Sequence, residues 1–524
     1  MIYSTIELSK YKLLYIKYIE YISNWKFLKT KTKKMNLKKT FLLLGLIIII
    51  NSAWAQSDVY GSAKLINEKA DGYNGIWYVM AGVAPAAGPV SDKYRYKYSG
   101  GLGTYTTYHY PFSVYDKASD KTFFCYGGTD ESGTLLHMVS YYDHKTGKVP
   151  RPTIVLDKAT TDAHDNPVLQ VDKDGFIWIF STSHGTGPTS FIHKSKQPYN
   201  ISEFVRVPAT KIENGKKVPL DNFSYLQIYY SAEDGFTGLF TEYIIYERVL
   251  KWMTSKDGVE WSEWKYLSHL PSGQYQSSGI QGKRIGTAFN YHPNRKVRGG
   301  LDYRTNLYYL QSNDFGKNWT TADGSAITIP LTEVSNEALV HDYDSEERNV
   351  YIADVNFDRK GRPIILYITS KGPLPGPEGG PRMWHTAWWS GKKWVIHPFT
   401  PAGNNYDAGS IYVERFGTWK VVAPTAMGPQ PYNTGGEMEM WKSRNNGKTW
   451  KKVKVLTKNS EYNHTYARRP TPINPDFYAF WADGHGLQPS ESRLYFCDRK
   501  GNVYQLPQKM EGDFAKPLLY HHGK

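Results

Sequence analysis

Cysteine is almost absent from the 524 residues: Cys125 and Cys497 are the only two, and no Cys-x-x-Cys occurs. A zinc site built on thiolates is thereby excluded. Two readings of the pair stay open, a disulfide joining the start of the fold to its end in an oxidising compartment, or two buried thiols. Long apolar runs are equally scarce. The longest, Phe41 to Ile50 (FLLLGLIIII), has ten residues, whereas a membrane-spanning helix needs about 20. Lys and Arg form no basic stripe and no nucleic-acid-binding module is recognisable, which argues against a nucleic-acid partner. Helical periodicity is missing from Gln56 onward, and no Pro/Ser/Gly linker divides that stretch.

What is present begins with a second start. After residues 1–34, rich in Lys, Tyr and Ile, Met35 opens a charged segment (Asn-Leu-Lys-Lys-Thr), then the apolar run, then Ala53-Trp54-Ala55. Residues 35–55 therefore read as a secretory signal peptide and 1–34 as an extension outside the mature protein. The expectation is export, to the periplasm or beyond, of one domain spanning 56–524. The first 55 residues hold ten lysines and two glutamates, so removing them lowers the formal charge from +15 to +7. The remaining surface is mildly basic and suits an anionic ligand.

Short aromatic and β-branched runs alternate with Gly, Asp and Asn turns to the end of the chain, as in VDKDGFIWIF (171–180) and NFDRKGRPIILYIT (356–369). The class is all-β. Three segments share a design: SKDGVEWSEW (255–264), SNDFGKNW (312–319) and SRNNGKTW (443–450). They resemble the S-x-D-x-G-x-x-W turn called the Asp box, the repeat of BNR proteins, with the first shortened by one residue. Repeats of this kind imply a β-propeller, and roughly 65 residues a blade gives about seven four-stranded blades. The Pro/Gly-rich stretch 372–382 reads as a surface loop between blades.

The hairpin from Thr161 to Gly185 carries His164 and His184 at its outer ends, so the two should meet on the rim opposite the Asp174-Gly175 turn. Other turn-rich segments add His109, Tyr225, Tyr229, Arg248, Tyr291, Arg304 and His464. Each of these has a bland alternative; Arg248, for example, sits beside Glu247 and Glu242 and either acid would satisfy it. Carboxylates are scarce in these segments. Glycoside hydrolases generally need two of them across the scissile bond. His, Tyr and Arg suit β-elimination from a uronic acid instead: a base removes the C5 proton, the C4–O bond breaks, and Arg or cationic His stabilises the enolate-like charge.

With its boxes, with DAHDNP and STSHG, whose histidines lie 20 residues apart, and with DYRTNLYYLQSNDFGKNW, the chain resembles the BNR-repeat propellers that include bacterial ulvan lyases. It is also similar to propeller enzymes acting on rhamnosyl-glucuronate linkages. The resemblance implies a lyase, or a dehydratase removing water from a terminal uronate, acting on an anionic uronate-containing polysaccharide or oligosaccharide. It implies catalytic roles for His164, His184, Tyr229 and Arg248, and substrate contacts from His109, Tyr225, Tyr291, Arg304 and His464. Tyr225 and Tyr229 compete for the catalytic tyrosine's place. The family's tyrosine-to-arginine interval is shorter than the 19 residues from Tyr229 to Arg248 and lands on Glu242 or Ile245. No cofactor is implied, and a structural metal ion is left open. The alternatives are a rhamnosidase- or sialidase-type hydrolase, although no R-I-P motif is present, and a non-catalytic glycan-binding propeller.

Overall fold

Short strands, many of them buried along their whole length, are joined by turns in which Gly or Asn often takes positive φ, and such sheets hide both faces only by packing on neighbours. The computed structural model describes residues 59–521 except 61, 82–93, 103–107, 163, 186, 188, 245–246, 272 and 294–301. The signal peptide and the upstream extension lie outside the described residues, as does the middle of the aromatic loop 97–112. Val59–Lys524 forms a single unit. No α-helix occurs among the described residues.

Seven sheets of four or more strands follow one another among the described residues. One edge strand of each sheet, or the chain just beside it, is tied to that of the next, and these strands form a circuit. Leu169 N–H donates to Pro111 O (3.1 Å), Gln170 Nε2 to Ile228 O (2.7 Å) and Gln227 Nε2 to Gln276 O (3.0 Å). The circuit continues from Gln281 Nε2 to Asp358 O (3.1 Å), Asn356 Nδ2 to Ile411 O (2.7 Å) and Ser410 Oγ to Ala467 O (2.9 Å). Thr471 N–H then donates to Ser113 O (3.0 Å) and returns to the first sheet. This closed arrangement is a β-propeller. Its ends are fastened by Tyr73 N–H to Pro507 O (2.9 Å) and Met510 N–H to Asp71 O (2.6 Å).

The core is divided among the interfaces between sheets. Trp178 and Phe180 of one sheet, for instance, meet Phe236 and Trp261 of the next. Each such side chain contributes roughly 1.5–3 kcal/mol by burial. The Asp-box segments act as clips between sheets. In the second, Gly316 at φ 90° donates its N–H to Ser312 Oγ (2.7 Å), and its carbonyl accepts Trp252 Nε1–H (2.9 Å) from the preceding sheet. Gly258 and Gly447 repeat the serine contact at 2.8 and 3.0 Å.

One expectation is corrected, and one of the two readings left open for the cysteines is selected. Residues 372–382 join the second and third strands of one sheet, Pro363–Ser370 and Arg382–Trp389, rather than two blades; the Arg382 guanidinium holds the loop through Leu374 O (2.7 Å) and Gly376 O (2.8 Å). Cys125 and Cys497 are free, buried thiols in two separate clusters of the core.

Candidate functional site

The hairpin of Pro167–Val171 and Ile177–Ser181 pairs in regular register from Pro167 with Ser181 to Val171 with Ile177, and Gly175 takes φ 84° in its turn. Its outer ends therefore converge. The rings of His164 and His184 stack with centroids 4.2 Å apart. Asp162 joins them. Its Oδ1 accepts the His164 backbone N–H (3.0 Å) and His164 Nδ1–H, while Oδ2 accepts His184 Nδ1–H (2.6 Å). The other nitrogen of His164, Nε2, meets the Tyr98 hydroxyl at 2.6 Å. The His184 side chain remains 27% exposed, against 1% for His164, so Nε2 of His184 is the nitrogen offered to a ligand.

Neighbouring sheets complete the cluster. The pairing of Ser224–Ser231 shifts between Ser224 and Gln227, and Tyr225 sits in that bulge at φ 51°. A bulge re-aims the side chain. Tyr225 lies 6.1 Å from His184, 5.2 Å from His109 and 5.4 Å from Tyr275, centroid to centroid. Across the next hairpin Tyr243 and Arg248 stand directly opposite one another, and cross-strand partners share a face. The Arg248 guanidinium lies 4.8 Å from the Tyr243 ring and 5.6 Å from that of Tyr275. Tyr243 reaches the Tyr225 hydroxyl (3.3 Å) and packs edge-on to His184 (5.7 Å). Arg304, buried, stands 4.7 Å from the Tyr275 ring and 3.5 Å from the Tyr108 hydroxyl.

The acids beside Arg248 are occupied elsewhere, Glu242 by Lys251 and Glu247 by His269. Arg248 Nε is buried and makes no hydrogen bond. Hence its guanidinium is held by aromatic rings rather than by a carboxylate, which leaves its charge available to an anionic ligand.

Titration behaviour follows from these contacts. Burial, reinforced by the neighbouring His184 charge, drives His164 down to about 4, so it is neutral near pH 7. Burial also opposes the cation on His184, but the hydrogen bond and charge of Asp162 outweigh it and raise the imidazole. Burial would raise Asp162, yet the two histidines together push it well below the usual carboxylate range. Tyr275 is pulled below an ordinary phenol, toward about 8, because Arg248 and Arg304 overcome its desolvation. Tyr243 is raised by burial. The arrangement thus pairs a neutral with a cation-prone imidazole and sets an acidified phenol between two guanidiniums.

Of the residues singled out in the sequence, His109, His164, His184, Tyr225, Arg248 and Arg304 are brought together here. The other three are not. Tyr229 is buried with its hydroxyl on Ser278 Oγ (2.8 Å) and its ring 6.3 Å from Tyr110, in the interface between two sheets. Tyr291 packs against that same apolar cluster. His464, in the last sheet, accepts Trp481 Nε1–H on Nδ1 (3.1 Å) and meets Ser460 Oγ with Nε2 (3.0 Å). Conversely, Asp162, Tyr243, Tyr275, Tyr98 and Tyr108 escaped the sequence reading. For Asp162 a signal existed in the Asp-x-His spacing, which places a side-chain oxygen over the backbone N–H two residues on.

Asp162, His164 and His184 are also the one group among the described residues with metal-ligand spacing, their donor atoms lying within 4.8 Å of one another. Those atoms are the ones that bond to each other, so a cation would have to displace the two Nδ1 protons.

Residues 104–401 match the BNR repeat-containing family, BNR_4. The chain is 23% identical over 300 residues to an ulvan lyase of Alteromonas sp. (strain LOR), covering 50% of this chain and 57% of that one. It is 25% identical over 339 residues to an ulvan lyase of Nonlabens ulvanivorans, covering 57% and 66%. The chain thus matches less than two thirds of the length of these curated relatives. A solved ulvan lyase of the PL25 family, bound to -[GlcA(1-4)Rha3S]-, superposes with a TM-score of 0.61 at 16% identity, over 83% of this chain and 96% of that one. At such identity the likeness is one of fold, the β-propeller. The match to the family spans more than half of the 524 residues, and the chain belongs to the BNR repeat-containing family.

Proposed function

We propose that the protein is a polysaccharide lyase that cleaves ulvan, or a closely similar sulfated uronate polymer, by β-elimination. The observation that carries this reading is the exposed face of the cluster: His184, Tyr243 and Arg248 are its partly accessible members, backed by buried Tyr225, Tyr275, His164 and Arg304. A uronate carboxylate pairs with Arg248, whose fork matches it. That pairing acidifies the C5 proton and stabilises the enolate-like charge as the proton leaves. Tyr243 takes the C5 proton as its own hydroxyl proton passes to the phenolate of the acidified Tyr275 beside it. His184, cation-prone and presenting Nε2, protonates the departing C4 oxygen, leaving a C4–C5 double bond. Each proton transfer is worth roughly 10²–10⁴-fold. The ulvan lyase relatives and the disaccharide bound by the PL25 structure support this substrate class. We extend the proposal to export of the protein, on the pattern of residues 35–55.

The test is incubation of purified protein with ulvan and with ulvan oligosaccharides, following the ultraviolet absorbance of the unsaturated uronate together with product mass. Chain shortening with new absorbance is the expected result. No absorbance change on any uronate polymer refutes the proposal. Absorbance with loss of one water and no shortening identifies a dehydratase.

A further inference from the structure

The face of the propeller opposite His164 and His184, where the turn of the Pro167–Ser181 hairpin lies, carries a groove of about 620 Å³ between the last two sheets. Phe416, at the tip of the turn between Ser410–Val413 and Trp419–Ala426, lines it and is 83% exposed, the most exposed large apolar side chain among the described residues. A lone exposed aromatic is common on protein surfaces; this one is distinguished by its place in a groove rich in cations. Arg415 lies beside it, its guanidinium 5.6 Å from the ring centroid.

The rest of the lining is dominated by cations. Lys420 and Arg499 pair with Glu414. Arg415, Lys442, Lys454 and Lys500 also line the groove, and none is in an ion pair among the described residues. Three acids, Glu414, Asp476 and Asp498, line it against six cations, so positive charge remains in excess. Glu414 is spent on its two cations and on the Tyr478 hydroxyl (2.6 Å), and Asp498 Oδ1 caps the backbone N–H groups of Lys500 (2.8 Å) and Asn502 (2.9 Å). Glu414 and Arg415 also line a second cavity of about 600 Å³, together with Arg359 and Arg469, at the inner ends of the sheets. The two cavities share Glu414 and Arg415, so the groove runs on toward the middle of the ring.

An exposed aromatic ring flanked by an excess of cations along a groove matches a sugar chain that alternates apolar ring faces with acidic groups. We propose that this groove is a second polysaccharide-binding site, separate from the catalytic cluster. A sugar ring stacks on Phe416, and sulfate or carboxylate groups along the chain pair with Arg415, Lys454 and Lys500. Such a site keeps the polymer on the enzyme between cleavage events. The substrate class rests on the lyase reading above; the anion preference rests on the groove alone.

Affinity electrophoresis in gels containing ulvan tests this, with His184→Ala as the background so that the gel polymer is not digested. The variant adds Phe416→Ala, Arg415→Ser, Lys454→Ser and Lys500→Ser, all on exposed turns or an exposed strand; an unchanged melting temperature verifies its fold. The background protein should be retarded by ulvan and not by a neutral glycan. Retardation should weaken with salt, and the groove variant should bind roughly tenfold or more weakly. Equal retardation of the two proteins overturns the proposal, as does no retardation of either, or retardation by duplex DNA and not by ulvan. Elimination by the wild-type enzyme is scored separately. Activity with groove-independent retardation sinks the second site alone, and groove-dependent retardation without elimination sinks the lyase reading alone.

Discussion

Replacing Asp162 by Asn isolates the carboxylate that serves both histidines. The amide keeps one oxygen, which can go on accepting the two His164 donors now held by Oδ1, and presents its NH₂ group where Oδ2 accepts His184 Nδ1–H (2.6 Å). His184 must then turn its Nδ1 lone pair to the amide and carry its proton on Nε2, a tautomer that cannot gain a second proton without losing that bond. The lost interaction is one hydrogen bond between charged groups, worth roughly 1.5–3 kcal/mol. Its two side chains are 27% and 32% exposed, so solvent screens it only in part. The His184 pKa should fall by about 1–2 units, and kcat/KM by roughly 10- to 100-fold where cationic His184 acts as the acid. The sign is fixed. Activity that needs the cation disappears as pH rises through the His184 pKa, so the variant's alkaline limb moves to lower pH. Imidazole NMR titration of His184, with initial rates on defined ulvan oligosaccharides across pH, measures both effects. A His184 titration unchanged within about 0.3 units, or a variant keeping more than about half the wild-type rate, refutes the assignment.

Two tyrosines that sequence alone does not separate should part by mutation. Tyr243→Phe should lower kcat by roughly 10²-fold or more, whereas Tyr229→Phe should leave it within about threefold and cost about 1 kcal/mol of stability through its bond to Ser278; equal activity losses would contradict the geometry. Arg248→Lys keeps a charge without the planar fork and should lower kcat/KM by roughly 10²-fold. Gly273→Ala should act through the same guanidinium, because Gly273 sits at φ 135° and an added Cβ would lie 3.2 Å from Arg248 Cβ; its kinetics should resemble Arg248→Lys in an unaltered fold by circular dichroism. His464 is driven to about 3 by burial, and its Nδ1 must stay unprotonated to accept from Trp481. In the unfolded chain it titrates near pH 6.5, so its stabilising contribution is whole above that pH and shrinks as the medium is acidified through the window down to about 3. His464→Gln should therefore be the less stable protein at pH 7, with the gap closing by up to ~1.4 kcal/mol per pH unit below 6.5 in calorimetry. A gap independent of pH would show that His464 is already charged when folded.

The hairpin histidines were legible because a period of two and a tight turn fix where both ends of an antiparallel pair arrive. The Asp boxes were legible because each names its serine, glycine and tryptophan in a few residues. The partners of His184 depend on events that leave weaker traces. Tyr225 and Tyr229 have the same parity and would share a face in a regular strand, but the bulge between Ser224 and Gln227 sends Tyr225 to the cluster and leaves Tyr229 between sheets. Tyr243 became visible as the partner of Arg248 only through the register of their hairpin. Tyr275 and Arg304 come from the following sheet and meet Tyr108 and Tyr406, from segments near 108 and 406, only when the ring closes. Distances in sequence of up to about 200 residues carry no local pattern. The loop 372–382 was misplaced for a related reason: composition marks a loop but not which strands it joins.

The sign of the charge that the cluster can stabilise separates elimination from hydrolysis. Cleavage of a glycosidic bond by two carboxylates passes through an oxocarbenium-like state, positive at the anomeric carbon, and needs two acids about 5–9.5 Å apart with free oxygens across the bond. Here Asp162 is spent on two imidazoles, Asp302 on Lys97, Glu242 on Lys251 and Glu247 on His269. What faces the partly exposed floor is the reverse field: two guanidiniums within 6 Å of one phenol ring, beside an imidazole whose pKa is raised. Positive charge developing in a sugar ring would meet repulsion at both guanidiniums. Negative charge developing on a uronate, as C5 loses its proton, meets the Arg248 guanidinium, which aromatic rings rather than a carboxylate hold in place. The same field that depresses Tyr275 toward about 8 would stabilise that enolate.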